Sequence, residues 1–233
     1  DNDIKLLLKE EGLCGLNITI PFKEKIIPHL DLLDKHSTQI GAVNCVSKTD
    51  GALEGTNTDW TGFQESINWV QNHGTPKIEK KSTAIVIGYG GSAKAIIYSL
   101  SFMGFKTIRV FNRNFDKIKN LKRITPHKLE ELEVYFKEAD LIINTTPINF
   151  EQELKPKLPR YAIADSFAET GHGFDAVYNY NTHFLNYIAH KKRINGFHML
   201  IHQAAPCFHR WFGTKPKVDA PLILLLQDKS FSL

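Results

Sequence analysis

The chain has 233 residues, 42% of them hydrophobic and 23% charged, with a formal net charge of +4. This is an ordinary soluble composition, with length for one large domain or two small ones. The positive excess forms no dense lysine–arginine tract, which disfavours nucleic acid and suits small anionic ligands. The longest apolar run, 222–226, is far short of the roughly 18 residues a spanning helix needs, so no membrane partner is expected.

Short strand-like runs open the chain at Leu16–Ile20, Ala42–Val46 and Ala52–Thr56. Between them, Phe22, Ile26, Ile27, Leu30 and Leu33 have helical spacing, in a helix that Pro28 must strain or shorten. Phe63, Ile67 and Val70 predict a helix over Thr61–Val70, and Asn72–Pro76 resembles a linker. Apolar strands then alternate with helices. Strands are expected at Ala84–Ile87, Thr107–Phe111, Leu141–Asn144, Ala162–Asp165 and Ala176–Tyr178. Helices are expected at Ser92–Met103, Phe115–Leu121, Leu129–Lys137 and His183–His190. A last helical region, Gly196–Trp211, should break near Pro206 before Pro221–Gln227. This alternation implies an α/β fold with a parallel sheet covered on both faces. Two α/β domains are expected: 1–60 with 196–233, and a Rossmann-type unit over 61–195.

Gly88-Tyr-Gly90-Gly91-Ser92-Ala93 lies where an apolar strand meets an alanine-rich helix. Gly88 permits the tight turn, Gly90 lets the backbone approach a pyrophosphate, and Ala93 allows close helix–strand packing. The phosphates would rest on the helix amides. Roughly 20 residues further on, an NAD site usually places an acidic residue on the ribose. Here the strand ends Asn112-Arg113, with Lys117 beyond. A guanidinium can pair with a 2′-phosphate that a carboxylate would repel, so NADP is the expected cofactor.

Proton transfer needs a polar site as well. In Asn17-Ile-Thr19-Ile-Pro-Phe-Lys23, strand alternation puts Asn17 and Thr19 on one face, and Lys23 follows at the same edge. Asn57-Thr58-Asp59 precedes the Thr61 helix. Each cluster alone has a plain reading, Lys23 as a solvated lysine and Asp59 as a helix cap.

Together these segments resemble the shikimate dehydrogenase family. The resemblance rests on Asn17–Lys23, Gly41-Ala-Val-Asn44, Gly55–Gly62, Gly88–Ala93, Asn112-Arg-Asn114 and Met199-Leu-Ile-His-Gln203, in the family's order. It implies NADPH-dependent, reversible reduction of 3-dehydroshikimate to shikimate on the way to aromatic amino acids. Lys23 and Asp59 are then the catalytic pair, with Lys23 preferred for proton transfer. Thr19, Asn44, Gln203 and Tyr178 would bind substrate. Gly88, Gly90, Gly91, Ser92 and Ala93 would hold the pyrophosphate, and Asn112, Arg113 and Lys117 the adenosine phosphate end. Thr145, Val177, Gly196 and Met199 would complete the cofactor site.

The chain departs from the family's pattern in places. Nothing before Asn17 matches the Ser-x-Ser motif that binds the substrate carboxylate, and the first residue is Asp1, so an N-terminal segment is expected to be missing. Asn114 stands for a usual threonine, Asn149 for a usual glycine, and the turn after Tyr178 is altered. Two other readings stay open: a quinate/shikimate dehydrogenase accepting NAD, and an NADP-binding module impaired in catalysis. His198 and His202 are four apart with His209 beyond, but no glutamate accompanies them and Pro206 intervenes, so no metal is expected. Cys14, Cys45 and Cys207 form no C-x-x-C pair and are read as reduced thiols of a cytoplasmic protein. The expected partner is a small-molecule substrate, with a homodimer left open.

Overall fold

The computed structural model describes residues 12–78, 81–118, 121–148, 152 and 171–230. Strands β1 (Gly15–Asn17), β2 (Leu32–Leu33), β3 (Cys45–Thr49) and β4 (Ala52–Thr56) make a four-stranded sheet in the order β1-β3-β4-β2. Asp50 and Gly51, both at positive φ, form the two-residue turn between β3 and β4, where Asp-Gly relieves the strain of left-handed backbone. Ile26, Val43 and Val46 are buried on this sheet, with Leu30, Leu33 and Leu53 against them.

Six parallel strands make the second sheet: β5 (Thr83–Ile87), β6 (Thr107–Asn112), β7 (Ile124–Lys128), β8 (Leu141–Asn144), β9 (His172–Asp175) and β10 (Arg193–Asn195). Their order is β10-β9-β8-β5-β6-β7. Counted from β5 this is the 3-2-1-4-5-6 arrangement, whose winding reverses between β5 and β8 and leaves a ligand crevice at their carboxyl ends. Alternate residues of β5 serve opposite cores. Ala84 and Val86 pack with Phe63, Ile96, Leu100 and Phe174, while Ile85 and Ile87 pack with Phe111, Leu132, Phe136 and Phe184. Both faces are therefore apolar, which is why the strand reads as a continuous hydrophobic run.

The α-helices of the described residues are α1 (Lys35–Ile40), α2 (Asp59–Asn72), α3 (Gly91–Phe102), α4 (Leu132–Phe136), α5 (Phe197–Phe212) and α6 (Ala220–Ser230). Helices α2 and α5 cross closely at Gly62, where a Cβ would stand 2.7 Å from Gln203 Cβ and 2.8 Å from its backbone nitrogen. Phe63 and Ile67 carry α2 onto the parallel sheet, Phe63 meeting Phe174 edge-on at 4.9 Å.

Several expectations need correction. Residues 22–31 form turns and a short 3₁₀ segment, Ile27–His29, and Leu32–Leu33 form β2, in place of the helix expected over 22–33. Pro28 cannot donate to the ladder, and the spacing of Ile26, Ile27, Leu30 and Leu33 reflects burial alone. The helices expected at Phe115–Leu121 and His183–His190 contract to 3₁₀ turns at Phe115–Lys117 and at Phe184–Tyr187 and His190–Lys192. Leu129–Lys137 divides into a 3₁₀ turn and α4. The strand expected at Ala176–Tyr178 lies just upstream as β9, where buried His172 and Asp175 disguise the pattern. Conversely, α5 continues through Pro206. Burial of Met199, Ile201 and Cys207 along that helix offsets the lost hydrogen bond, a cost of about 3 kcal/mol. Ala162–Asp165 and Asn149 lie outside the described residues.

Gly62→Ala should therefore push α2 off α5, since the clash is with backbone as well as side chain. The expected loss, read by urea or thermal denaturation, is about 1–3 kcal/mol.

Candidate functional site

Lys23 emerges from the turns after β1 and lies against the start of α3. Its Nζ donates to Asp59 Oδ2 at 2.6 Å and to Ser92 Oγ at 3.0 Å. The two side chains are 14% and 5% exposed, so this is a largely desolvated pair. Asp59 is the first residue of α2. Asn57 holds that helix start by accepting from the Asp59 amide at 3.0 Å and donating to Ala42 O at 2.9 Å. Asp59 does not cap α2 by a side-chain hydrogen bond; its carboxylate is free for Lys23 and Asn44.

Asn44 sits just before β3 and is 2% exposed. Its Nδ2 faces three acceptors: Thr58 Oγ1 at 2.8 Å, Asp59 Oδ1 at 3.1 Å and Gln203 Oε1 at 2.8 Å. Its Oδ1 accepts from the Thr58 amide at 2.6 Å. Thr58 Oγ1 donates to Gln203 O at 2.9 Å, and Gln203 Nε2 donates to Leu200 O at 3.0 Å. The loop before β3, the start of α2 and the middle of α5 thus meet in one buried polar network.

The glycine turn leaves β5 beside that network. Gly88 has φ +106°, and a Cβ there would stand 2.4 Å from Thr145 Oγ1. Gly90, by contrast, faces open space, as a backbone must where a bulky anion is to approach. Gly91 closes on the lysine: a Cβ there would stand 2.7 Å from Lys23 Cβ. A pocket of about 200 Å³ lies between Lys23, Gly90, Gly91, Ser92 and Thr145. A second, of about 350 Å³, lies over Tyr89, Lys94, Asn112, Asn114 and Lys117. Glu24 lines both and pairs with Lys94 at 2.5 Å. Helix amides at the turn and cations at the end of β6 suit a dinucleotide with an extra phosphate.

Among the sequence-derived candidates, Lys23, Asp59, Asn44 and Gln203 are joined directly, and Ser92 touches the lysine. Ala93 is fully buried beneath the turn. Thr145 Oγ1 donates to Ile87 O at 2.7 Å. Arg113 and Lys117 are exposed beyond β6, and Asn112 Nδ2 donates to Asn114 O at 3.3 Å. Val177 and Tyr178 follow β9, Tyr178 with its ring exposed. Gly196 caps α5 against the carbonyls of Asp175 and Ala176, and Met199 is buried in the sheet core. Thr19 is exposed; its carbonyl accepts from the Phe22 amide, and its side chain stands apart from the network.

Sequence reasoning missed Lys94 and the Asp175 cluster, and named Thr58 only within the run Asn57-Thr58-Asp59. Asp175 accepts from Thr182 Oγ1, from Asn144 Nδ2 at 3.1 Å and from the Val177 amide at 3.1 Å. Burial pushes its carboxyl above the usual range. An acidic residue closing a strand, with a threonine seven positions on, was the available signal.

Among the described residues, no group of three or more side chains that could hold a metal ion is present at His198 and His202. Their rings lie near Trp69 instead, and His198 Nδ1 and His202 Nε2 are buried without a hydrogen-bond partner. Burial, then His202 and His73, lower the His198 pKa to about 4. A depressed histidine pKa leaves stability intact above about 6.5 and removes it as pH falls toward 4, by at most about 3 kcal/mol. Denaturation curves between those values should show this loss, and His198→Phe should flatten it.

Two family profiles match the chain: the shikimate dehydrogenase substrate binding domain over residues 2–46, and shikimate / quinate 5-dehydrogenase over residues 73–150. A shikimate dehydrogenase (NADP(+)) of Rhizobium etli is 34% identical over 223 residues, spanning 92% of this chain and 75% of that protein. The shikimate dehydrogenase (NADP(+)) of Caldicellulosiruptor bescii is 34% identical over 99% of this chain and 81% of its own. Among solved structures, Thermus thermophilus shikimate 5-dehydrogenase with NADP(H) and shikimate has a TM-score of 0.75 at 31% identity, covering 98% of this chain and 83% of that one. Corynebacterium glutamicum quinate dehydrogenase with NAD has a TM-score of 0.78 at 26% identity, covering 98% and 82%.

Proposed function

The chain belongs to the shikimate dehydrogenase family, and from that premise we propose that it catalyses the reversible, NADPH-dependent reduction of 3-dehydroshikimate to shikimate. The observation that carries this reading is the placing of Lys23 Nζ between Asp59 Oδ2 and Ser92 Oγ, where the amide network meets the glycine turn. The nicotinamide, when bound, supplies or accepts the hydride. The chain's own residues manage the proton and the substrate. Lys23 Nζ delivers the proton to the substrate carbonyl oxygen in reduction and takes it from the hydroxyl in oxidation. Asp59 orients that nitrogen. Asn44 and Gln203, with Thr19 and Tyr178 at the rim, bind the ring hydroxyls, so an analogue lacking one leaves a buried amide unpaired.

Gly88, Gly90, Gly91, Ser92 and Ala93 receive the pyrophosphate, with Thr145, Val177, Gly196 and Met199 on the nicotinamide side. Asn112, Arg113 and Lys117 take the adenosine phosphate, and Lys94 joins them. No acidic residue stands at the end of β6, and Glu24, the carboxylate in the cleft, is already paired. This supports NADP over NAD. We assign substrate binding to 1–60 with 196–233 and cofactor binding to 61–195, in a cytoplasmic enzyme whose resting cysteines are free thiols.

Mixing the chain with NADP and shikimate should raise the absorbance of NADPH. Lys23→Ala should lower kcat about 10²–10⁴-fold while changing the NADP requirement little. Arg113→Ala should instead raise KM for NADP about tenfold and leave KM for NAD nearly unchanged. Unchanged kinetics in either variant removes that assignment. Faster turnover of quinate with NAD than of shikimate with NADP would replace the reading with the quinate one.

A further inference from the structure

One buried carboxylate has no part in the reaction proposed above. Asp175 closes β9 and is 3% exposed, beside its register partner Asn144 at the end of β8. Its Oδ1 accepts from Asn144 Nδ2 and from the Val177 amide, each at 3.1 Å, and its Oδ2 accepts from Thr182 Oγ1. All three donors are neutral. Burial raises the carboxyl pKa, and these hydrogen bonds oppose the rise. Burying a carboxylate on neutral donors is costly, and such breaches of ordinary packing gather at functional sites.

The hydrogen bonds run on across the carboxyl edge of the parallel sheet. Asn144 Oδ1 accepts from the Thr146 amide at 3.1 Å and from Thr146 Oγ1 at 2.7 Å. Thr146 Cγ2 in turn stands 2.9 Å from the place a Cβ would take on Gly88. On the other side, the Asp175 and Ala176 carbonyl oxygens lie 2.7 and 2.6 Å from such a place on Gly196. Thr182 Oγ1 also accepts from the Phe184 amide at 3.3 Å, which pins the far end of the turn. One carboxylate thus ties the turn after β9 to the turn after β8, which presses on the glycine turn.

We propose that Asp175 is a positioning residue for the nicotinamide end of the cofactor, which rests on the cofactor reading above: it locks the turn 176–181 so that Val177 and Tyr178 keep their places at the crevice. A carboxylate accepts on both oxygens, so one side chain holds Asn144, Val177 and Thr182 at once. An asparagine there would turn an N–H group toward one of those donors. The turn would then shift, and hydride transfer is sensitive to displacements of that size.

The fluorescence anisotropy of NADPH bound to excess protein reads how firmly the nicotinamide is held. The dissociation constant of adenosine 2′,5′-bisphosphate reads the adenosine end alone. Thr182→Val removes the donor to Oδ2, and Asp175→Asn removes one acceptor. Either variant should lower the anisotropy of bound NADPH, and should lower kcat for shikimate oxidation roughly 10–100-fold. The bisphosphate should bind within about twofold of its parent value, since its contacts lie at the end of β6. Thr182→Ser keeps the hydroxyl and should restore both the anisotropy and kcat. Unchanged anisotropy in variants that still bind the bisphosphate would overturn the proposal. So would loss of bisphosphate binding in both variants, which marks a role in the fold alone. A parent chain whose bound NADPH is itself loosely held would overturn it too. A parent chain that holds NADPH firmly, loses that hold in the variants and never oxidises shikimate would sink the activity reading and leave the positioning role standing.

Discussion

The carboxamide of Asn44 is the interaction on which the substrate side depends. One buried side chain accepts from the Thr58 amide and turns its two N–H groups toward the Thr58 hydroxyl, the Asp59 carboxylate and Gln203 Oε1. An amide is suited to this role because it offers donors and an acceptor from one rigid plane. An aspartate could not donate to Asp59 or Gln203, and an apolar residue would leave several buried polar groups unpaired, each costing about 1–3 kcal/mol. The network is therefore strongly specified: a change in any one partner is felt by the others.

The second constraint is the topology of the parallel sheet. Because the winding reverses between β5 and β8, the turns after those strands, at Gly88 and Thr145, open onto a common crevice. Lys23 enters that crevice from the other sheet and makes its contacts with Asp59 and with Ser92 at the start of α3. The residue assigned to proton transfer is thereby fixed relative to both ligand sites.

The dinucleotide half was legible in the sequence because its determinants are local. A buried strand, three glycines, an alanine-rich helix and a cationic strand end follow one another in the chain and mean the same thing in any context. The pair assigned to catalysis, Lys23 and Asp59, was legible through a resemblance of ordered motifs. The network around Asn44 was only partly so, since Thr58 joins it through geometry that brings residues 44, 58 and 203 together. The errors have a common cause. Ile26, Ile27, Leu30 and Leu33 repeat like a helix because they cover one sheet face, and Pro28 decides the backbone conformation. Pro206 was given the same weight on α5, where packing against α2 outweighs it. Propensity is decisive where burial is slight and yields where an element is held on one side by a close-packed neighbour.

The two ion pairs of the cleft differ in a way that follows from their exposure. Lys94 and Glu24 are 20% and 45% exposed, and a pair of that kind is worth at most about 1 kcal/mol. An incoming phosphate can compete for Lys94 at little cost. Lys23 and Asp59 are far more deeply buried, and separating them would leave a buried carboxylate with Asn44 as its side-chain donor, a cost of roughly 3–5 kcal/mol. The rim of the site is thus adjustable and its interior is not. That division suits hydride and proton transfer, in which ligands must enter and leave while the proton-carrying nitrogen keeps its direction.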